Sequence, residues 1–319
     1  MPETVDPQEI DRAAALLRAG RLVAFPTETV YGLGANALDV DAVSRIYAVK
    51  RRPATSPLIV HVASLEMARR LVANWTDLAD KLARRFWPGP LTLVLEKQVE
   101  KTFGIPAIVT ANLPTVGLRM PAHPIAHALI KAADIPVAAP SANRFTELSP
   151  TTAEHVRRSL GSEVDLILDG GPCQVGIEST VLSLLEPTPR LLRPGGISRR
   201  DLESVAGPIH SAQELQEGAH PSPGMHPRHY SPRTTLYLTT NGKVPDIGRG
   251  IYLQYDNPPS RADVAVEQMP LPPAEYAAIL YEVLHQADAG NHSWIAVDRP
   301  PDTADWEAIH DRLKRAATK

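Results

Sequence analysis

Helix and strand patterns alternate through the first two hundred residues, stop between 207 and 232, and then resume to the end of the chain. Asp6, Pro7 and Glu9 read as the N-cap, first-turn proline and capping-box acid of a helix that runs to Leu17 and stops at Gly20. Strands are expected at 22–25, 58–62, 91–95, 116–120, 136–139, 166–168, 180–185 and 190–193. Helices are expected near 64–72, 76–86, 124–133, 152–160 and 199–205, with another capped by Asp39 or Asp41 and running to Tyr47. This order implies a twisted mixed α/β sheet with helices packed on it. A second α/β pattern follows, with strands at 235–238, 250–255 and 294–297 and helices at 274–287 and 306–317. Three parts result: a domain over 1–206, a linker over 207–232 rich in Pro, Gly, His and Ser, and a smaller domain over 233–319.

Length and composition bound the partners. A chain of 319 residues can bury a sizeable core and fits two domains better than one. With 33 Lys+Arg against 36 Asp+Glu the net charge is -3, which gives no basic field for holding a nucleic-acid backbone, so any tRNA binding is expected to be weak or indirect. The single cysteine, Cys173, rules out an internal disulfide, and no apolar stretch of about twenty residues is present. A cytoplasmic protein without a membrane segment is the expectation.

The chemistry is concentrated where strands end. Phe25-Pro26-Thr27-Glu28-Thr29-Val30-Tyr31-Gly32-Leu33-Gly34 runs from an apolar strand into hydroxyls, a carboxylate and two glycines. In an extended segment Thr27, Thr29 and Tyr31 would share one face, as the exposed polar end of a strand or as a ligand-binding edge. Lys50 and Arg52 suit a helix C-terminus, where cations are favoured, yet Pro53 fixes the backbone and so aims the guanidinium. Arg119 sits inside the otherwise apolar strand Val116-Gly117-Leu118-Arg119-Met120 and must be paired if buried; a carboxylate or phosphate ligand would serve. Ser141-Ala142-Asn143 ends another apolar strand, Ser149 or Thr151 precedes a helix N-terminus suited to an anion, and Arg193-Pro194 repeats the pattern of Arg52-Pro53. Four such cations from distant segments outnumber obvious carboxylate partners, which points to a ligand with several negative charges. His123 and His127 stand four apart, but no third metal ligand is marked. His226, Arg228, His229 and Tyr230 in the linker read either as loop residues or as part of a lid. No P-loop, G-x-G-x-x-G or G-x-S-x-G motif occurs, so a bound nucleotide would be held by scattered side chains.

The motifs FPTETVYGLG, KRRPATSPL, WPGPLTLVL, VGLRMP, APSAN, GIESTV and LLRPGGI, followed by SPGMHPRHYSP, resemble in order and spacing the Sua5 branch of the Sua5/YrdC/YwlC family, the L-threonylcarbamoyladenylate synthases. The resemblance spans essentially the whole chain. It implies a YrdC-like catalytic domain, a linker acting as active-site lid and a small Rossmann-like domain. It also implies a transferase, a nucleotidyltransferase that makes threonylcarbamoyl-AMP and pyrophosphate from L-threonine, bicarbonate and ATP with Mg2+. Downstream t6A pathway proteins would transfer the group to adenosine 37 of tRNA. Carried over by position, Thr29, His61, Arg119 and Ala139 would surround L-threonine. Arg52, Ser56, Thr115, Ser141, Ser149, Arg193 and His229 would line ATP, with Lys50 and Asn143 placing phosphates and Lys50 and Arg52 as the catalytic cations. Ser56 stands where the family commonly has Asn, and Ser183 where it commonly has Asp. The competing readings are a binder of double-stranded RNA and the YrdC-like accessory domain found in hydrogenase maturation.

Overall fold

The computed structural model describes residues 6–99, 104–211 and 229–317. The first part is built on strands β1 (Val23–Phe25), β2 (Gly32–Asn36), β3 (Ile59–His61), β4 (Leu91–Glu96), β5 (Thr115–Arg119), β6 (Val137–Ala138), β7 (Leu166–Ile167), β8 (Thr180–Ser183), β9 (Arg190–Arg193) and β10 (His210–Ser211). They form one sheet in the order β10-β9-β8-β4-β5-β3-β6-β2-β1-β7, with parallel and antiparallel neighbours mixed. The helices are α1 (Pro7–Arg18), α2 (Val40–Lys50), α3 (Leu65–Arg70), α4 (Asp77–Phe86), α5 (Pro124–Ala133), α6 (Ala153–Leu160) and α7 (Arg199–Ala206).

Period-two alternation sorts the strand residues onto two cores. Val23 and Phe25 of β1 and Val137 of β6 pack with α1 and α5 on one face. Ala24, Val60 and Ala138 turn to the other face, under α2, α4 and α6. Asp6 and Asp39 cap α1 and α2 through their carboxylates. α6 departs from expectation: its cap is Thr152, which accepts from the amide of His155, and neither Ser149 nor Thr151 serves.

The second part holds β11 (Thr235–Thr239), β12 (Gly250–Gln254), β13 (Ala265–Gln268) and β14 (Trp294–Asp298), all parallel, in the order β11-β14-β12-β13. Helices α8 (Pro273–Ala289) and α9 (Glu307–Ala316) complete it. Its core is not closed on itself: Val30, Leu148 and Ile177 of the first part belong to the same apolar cluster as Leu280, Tyr281 and Ile309. The two sheets are thus joined by an apolar seam.

Three strands lie outside the sequence expectation. β2 contains two glycines, a composition that weakens strands, but a Cβ at Gly34 would come within 2.7 Å of the Phe25 ring and 3.0 Å of Val137. β10 is a two-residue edge strand and β13 an edge strand whose four residues are all exposed, so neither shows apolar periodicity.

Candidate active site

Several strands and loops end at one cavity of about 550 Å3, its open mouth included. β3 and β5 are parallel and in register, so their last residues, His61 and Arg119, stand side by side. Gly32 of β2 bridges Ser141, which brings the loop after β6 to the same place. β9 delivers Arg193, the α2–β3 connection Arg52, and the chain entering the second part His229 and Tyr230. Thr29, His61, Ala139, Arg52, Ser141, Arg193 and His229 all line this space together with Arg119.

The segment after β1 is not extended. Thr27 Oγ1 accepts from the amides of Thr29 and Val30 at 3.2 Å and donates to Val30 O at 2.6 Å, which curls the chain into a turn. The expectation that Thr27, Thr29 and Tyr31 share a face is therefore corrected. The two threonine hydroxyls meet at 2.8 Å and line the cavity, whereas Tyr31 turns away and donates its hydroxyl to Gly171 O.

Arg119 and Arg193 are almost wholly buried. Arg119 Nη2 lies 2.8 Å from Glu28 Oε1, but the N–H does not point along that line and neither atom has a hydrogen-bonded partner, so the contact is Coulombic. Arg119 Nε also donates to Gly89 O at 3.3 Å. Arg193 is anchored by Ser179, its Nε donating to the carbonyl and its Nη2 to the hydroxyl, both at 3.1 Å. Arg52 donates to Ser56 Oγ and Pro57 O, and its guanidinium lies 5.6 Å from the centre of the Phe145 ring. Burial, more than any neighbour, lowers its pKa to about 10. It remains a cation at neutral pH.

The two histidines are neutral for the same reason. Burial, reinforced by Arg119, holds His61 down to about 3; burial, then Arg52, Lys50 and Arg193, holds His229 well below the ordinary imidazole value. In each, the buried Nδ1 has no hydrogen-bond partner. Both residues line the cavity, and a buried ring nitrogen left unpaired is a group that a ligand or a water would complete.

Five expected residues do not line this cavity. Lys50 is buried, and its ammonium donates to Ser141 O and Asn143 O at 2.5 Å each, which ties down the loop without presenting the charge to the cavity. Asn143 is the other half of that tie, giving its amide to Glu147 O at 2.8 Å. Ser56 accepts from Arg52 and so aims it. Ser149 donates to Glu178 Oε1 at 2.5 Å. Thr115 opens β5 and lines a separate small cavity with Pro57 and Ile59. Ser183 sits in β8 opposite Arg190.

Cys173 is buried, which pushes its thiol pKa up and away from nucleophilic use. His123 caps α5 and His127 meets Ala63 O at 3.1 Å, so the pair is structural. The linker residues 222–228, His226 and Arg228 among them, fall outside the described residues, as does most of the segment read as a lid.

Sequence reasoning gives no specific role to Glu28, Glu178, Ser179 or Tyr230, yet all four stand at or against the cavity. Glu178 lines it, accepts from Ser149, and is met by Tyr281 and Arg312 of the second part. Its signal in the sequence is only a carboxylate at the start of a strand.

The chain is similar over most of its length to known proteins. Residues 15–195 match a family described as "Telomere recombination" (Sua5, YciO and YrdC), and residues 197–318 match "Threonylcarbamoyl-AMP synthase, C-terminal domain". The chain is 42% identical to a Bacillus subtilis threonylcarbamoyl-AMP synthase over 98% of this chain and 94% of that one. It is 48% identical to the Pyrococcus abyssi enzyme of that name over 74% and 69%. The crystal structure of P. abyssi Sua5 complexed with L-threonine superposes with a TM-score of 0.90 at 38% identity, over 99% of this chain and 96% of that one. Full-length HypF, in a phosphate- and nucleotide-bound form, matches 59% of this chain and 29% of its own, with a TM-score of 0.52 at 25% identity.

Proposed function

Because the chain belongs to the threonylcarbamoyl-AMP synthase family, in its two-domain Sua5 branch, we propose that it joins L-threonine, bicarbonate and ATP into threonylcarbamoyl-AMP and pyrophosphate. The observation that carries this reading is the convergence of three buried guanidiniums, Arg52, Arg119 and Arg193, on one cavity with the Thr27 and Thr29 hydroxyls and two neutral histidines. Such a site suits an amino acid beside a polyphosphate. The HypF likeness covers 59% of the chain, too little to take in both parts, and so leaves the parallel second sheet unexplained.

In this reading Arg119 takes the threonine carboxylate, and Thr29, His61 and Ala139 enclose the rest of the amino acid. Arg52, Arg193 and Ser141 face the nucleotide, with His229 over it. Lys50, Asn143, Ser56 and Ser149 act from behind, by fixing the loops and side chains that make contact. Carbamate formed on the threonine amine attacks the α-phosphorus of ATP through a carboxylate oxygen; that P–O bond forms as the bond to the β,γ-pyrophosphate breaks in line. The protein provides no nucleophile. It orients the reactants and supplies positive charge already in position.

Mg2+ enters as the nucleotide's own counter-ion. Among the described residues no three His, Cys, Asp or Glu side chains gather to hold a cation, and Glu178 is already engaged by Arg312, Ser149 and Tyr281. The product would pass to t6A pathway proteins acting on tRNA. With a net charge of -3 the chain itself would touch tRNA weakly or not at all. No helix among the described residues is long and apolar enough to cross a membrane, and cytoplasmic residence is part of the same proposal.

The test is to incubate the protein with ATP, bicarbonate and a panel of amino acids while following pyrophosphate. Release is expected with threonine and bicarbonate together. Equal release with any amino acid, or none at all, defeats the reading.

A further inference from the structure

We propose that Arg312, in the last helix of the second part, is a positioning residue for the nucleotide half of the active site and acts through Glu178. The inference rests on the nucleotide reading above.

Arg312 is completely enclosed and lies 134 positions from Glu178 in sequence. Its Nε donates to Glu178 Oε2 at 2.6 Å, and its Nη2 donates to Pro194 O at 3.0 Å. These contacts fall on either side of the Arg193 anchor. Glu178 immediately precedes Ser179, whose carbonyl and hydroxyl hold Arg193, and Pro194 immediately follows Arg193. One guanidinium therefore pins both segments that fix the nucleotide-facing arginine. Through Glu178 it also fixes Ser149, and Tyr281 of α8 adds a hydroxyl to the same carboxylate at 3.1 Å.

Charge gives a second reason. Glu178 lines the cavity, and a bare carboxylate in the wall of a polyphosphate site would repel its ligand. Burial pushes its pKa up, but Arg312 and then Arg193 pull it down further, so it stays ionised and needs a counter-charge. Arg312 supplies that charge from outside the cavity. Without Arg312 the buried carboxylate loses its main counter-charge and is left to Arg193 and the hydroxyls of Ser149 and Tyr281, an unfavourable arrangement for what remains of such a pair.

The two effects separate in a double-mutant cycle. Wild type, Arg312→Met, Glu178→Gln and the double variant are titrated calorimetrically with a non-hydrolysable ATP analogue and, in parallel, with L-threonine; melting temperatures are recorded for all four. Arg312→Met is expected to weaken the analogue about tenfold or more while threonine affinity stays within about twofold. In the Glu178→Gln background the same substitution should weaken it by no more than about threefold, because position 178 then carries no charge to strand and Asp311, which Arg312 Nη1 also meets at 2.7 Å, keeps Arg315 at 2.8 Å. A merely structural joint between the domains would lower both affinities together, without relief from Glu178→Gln, and that result overturns the proposal. So does an Arg312→Met protein that binds the analogue as wild type does. Should Arg312→Met fail to fold, Arg312→Lys keeps the charge toward Glu178 and loses the bond to Pro194; an intermediate loss is expected, and an unchanged affinity defeats the idea. Wild type that binds both ligands but releases no pyrophosphate refutes the reaction and leaves this inference decided by binding. Wild type that binds no nucleotide refutes both.

Discussion

Arg119 is 4% exposed, with Glu28 at 2.8 Å and a carbonyl at 3.3 Å, and beside it stands His61, kept neutral by burial and then by Arg119. Its replacement has two consequences that must be read separately. Arg119→Ala leaves Glu28 buried without a counter-charge, which destabilises the fold by roughly 3–5 kcal/mol. It also removes the group facing the threonine carboxylate, so threonine affinity should fall by about a hundredfold. Glu28→Gln in the same background should restore much of the melting temperature and none of the threonine affinity. Calorimetry with threonine and with an ATP analogue checks this; unchanged threonine affinity in Arg119→Ala would place the amino acid elsewhere. Arg119 is legible in the sequence because a charge inside an apolar strand demands a partner. Glu28, just beyond the end of β1, is not, since nothing in a linear pattern says which carboxylate folds back to meet it.

At the scale of elements, what the sequence discloses is strand ends. The expected bounds of β3, β5 and β9 agree with the structure to within about one residue, and the polar residues at their ends, His61, Arg119 and Arg193, meet at the cavity. What it hides is direction. Lys50 closes α2 as a favourable last-turn cation, and only a loop 91 to 93 residues away decides that its ammonium turns inward to backbone carbonyls. Period two places Thr27 on a strand face because it is blind to a hydroxyl that bonds its own backbone. Gly195 shows how tightly elements fit around the site. A Cβ there would lie 2.4 Å from the amide nitrogen of Thr180 and 2.5 Å from Glu178 O, both backbone atoms that cannot rotate away. Gly195→Ala must therefore push β8 and the Arg193 turn apart. The expected result is a stability loss of about 1–3 kcal/mol and weakened ATP use with threonine binding little changed. Wild-type stability and kinetics in that variant would show that the turn has slack.

For the whole molecule, the buried seam links acid sensitivity to domain contact. His155 of α6 and His285 of α8 stack across it at 3.8 Å, with Glu282 3.3 Å from His155 and Ser149 O 3.1 Å from His285. Burial, then Arg158, lowers His155 to about 4; burial, then His155 itself, lowers His285 to about 4. Each is near 6.5 when unfolded. Between about pH 6.5 and 4 the unfolded chain therefore binds protons that the native one refuses, so the native state loses stability as pH falls. The slope reaches at most about 1.4 kcal/mol per pH unit for each such histidine, and His61, held to about 3, adds in the same sense. Urea midpoints should accordingly drop between about pH 7.5 and about pH 5, and His285→Gln should flatten that drop by removing one of the refusing groups. Because Val30, Leu148 and Ile177 belong to the second part's core, loss of the seam uncovers apolar surface in both parts at once. Fluorescence and circular dichroism should thus report one shared transition at either pH. A midpoint that rises in acid, or a second part that melts alone while the first stays native, would mean that these histidines and this shared core do not govern how the two sheets hold together.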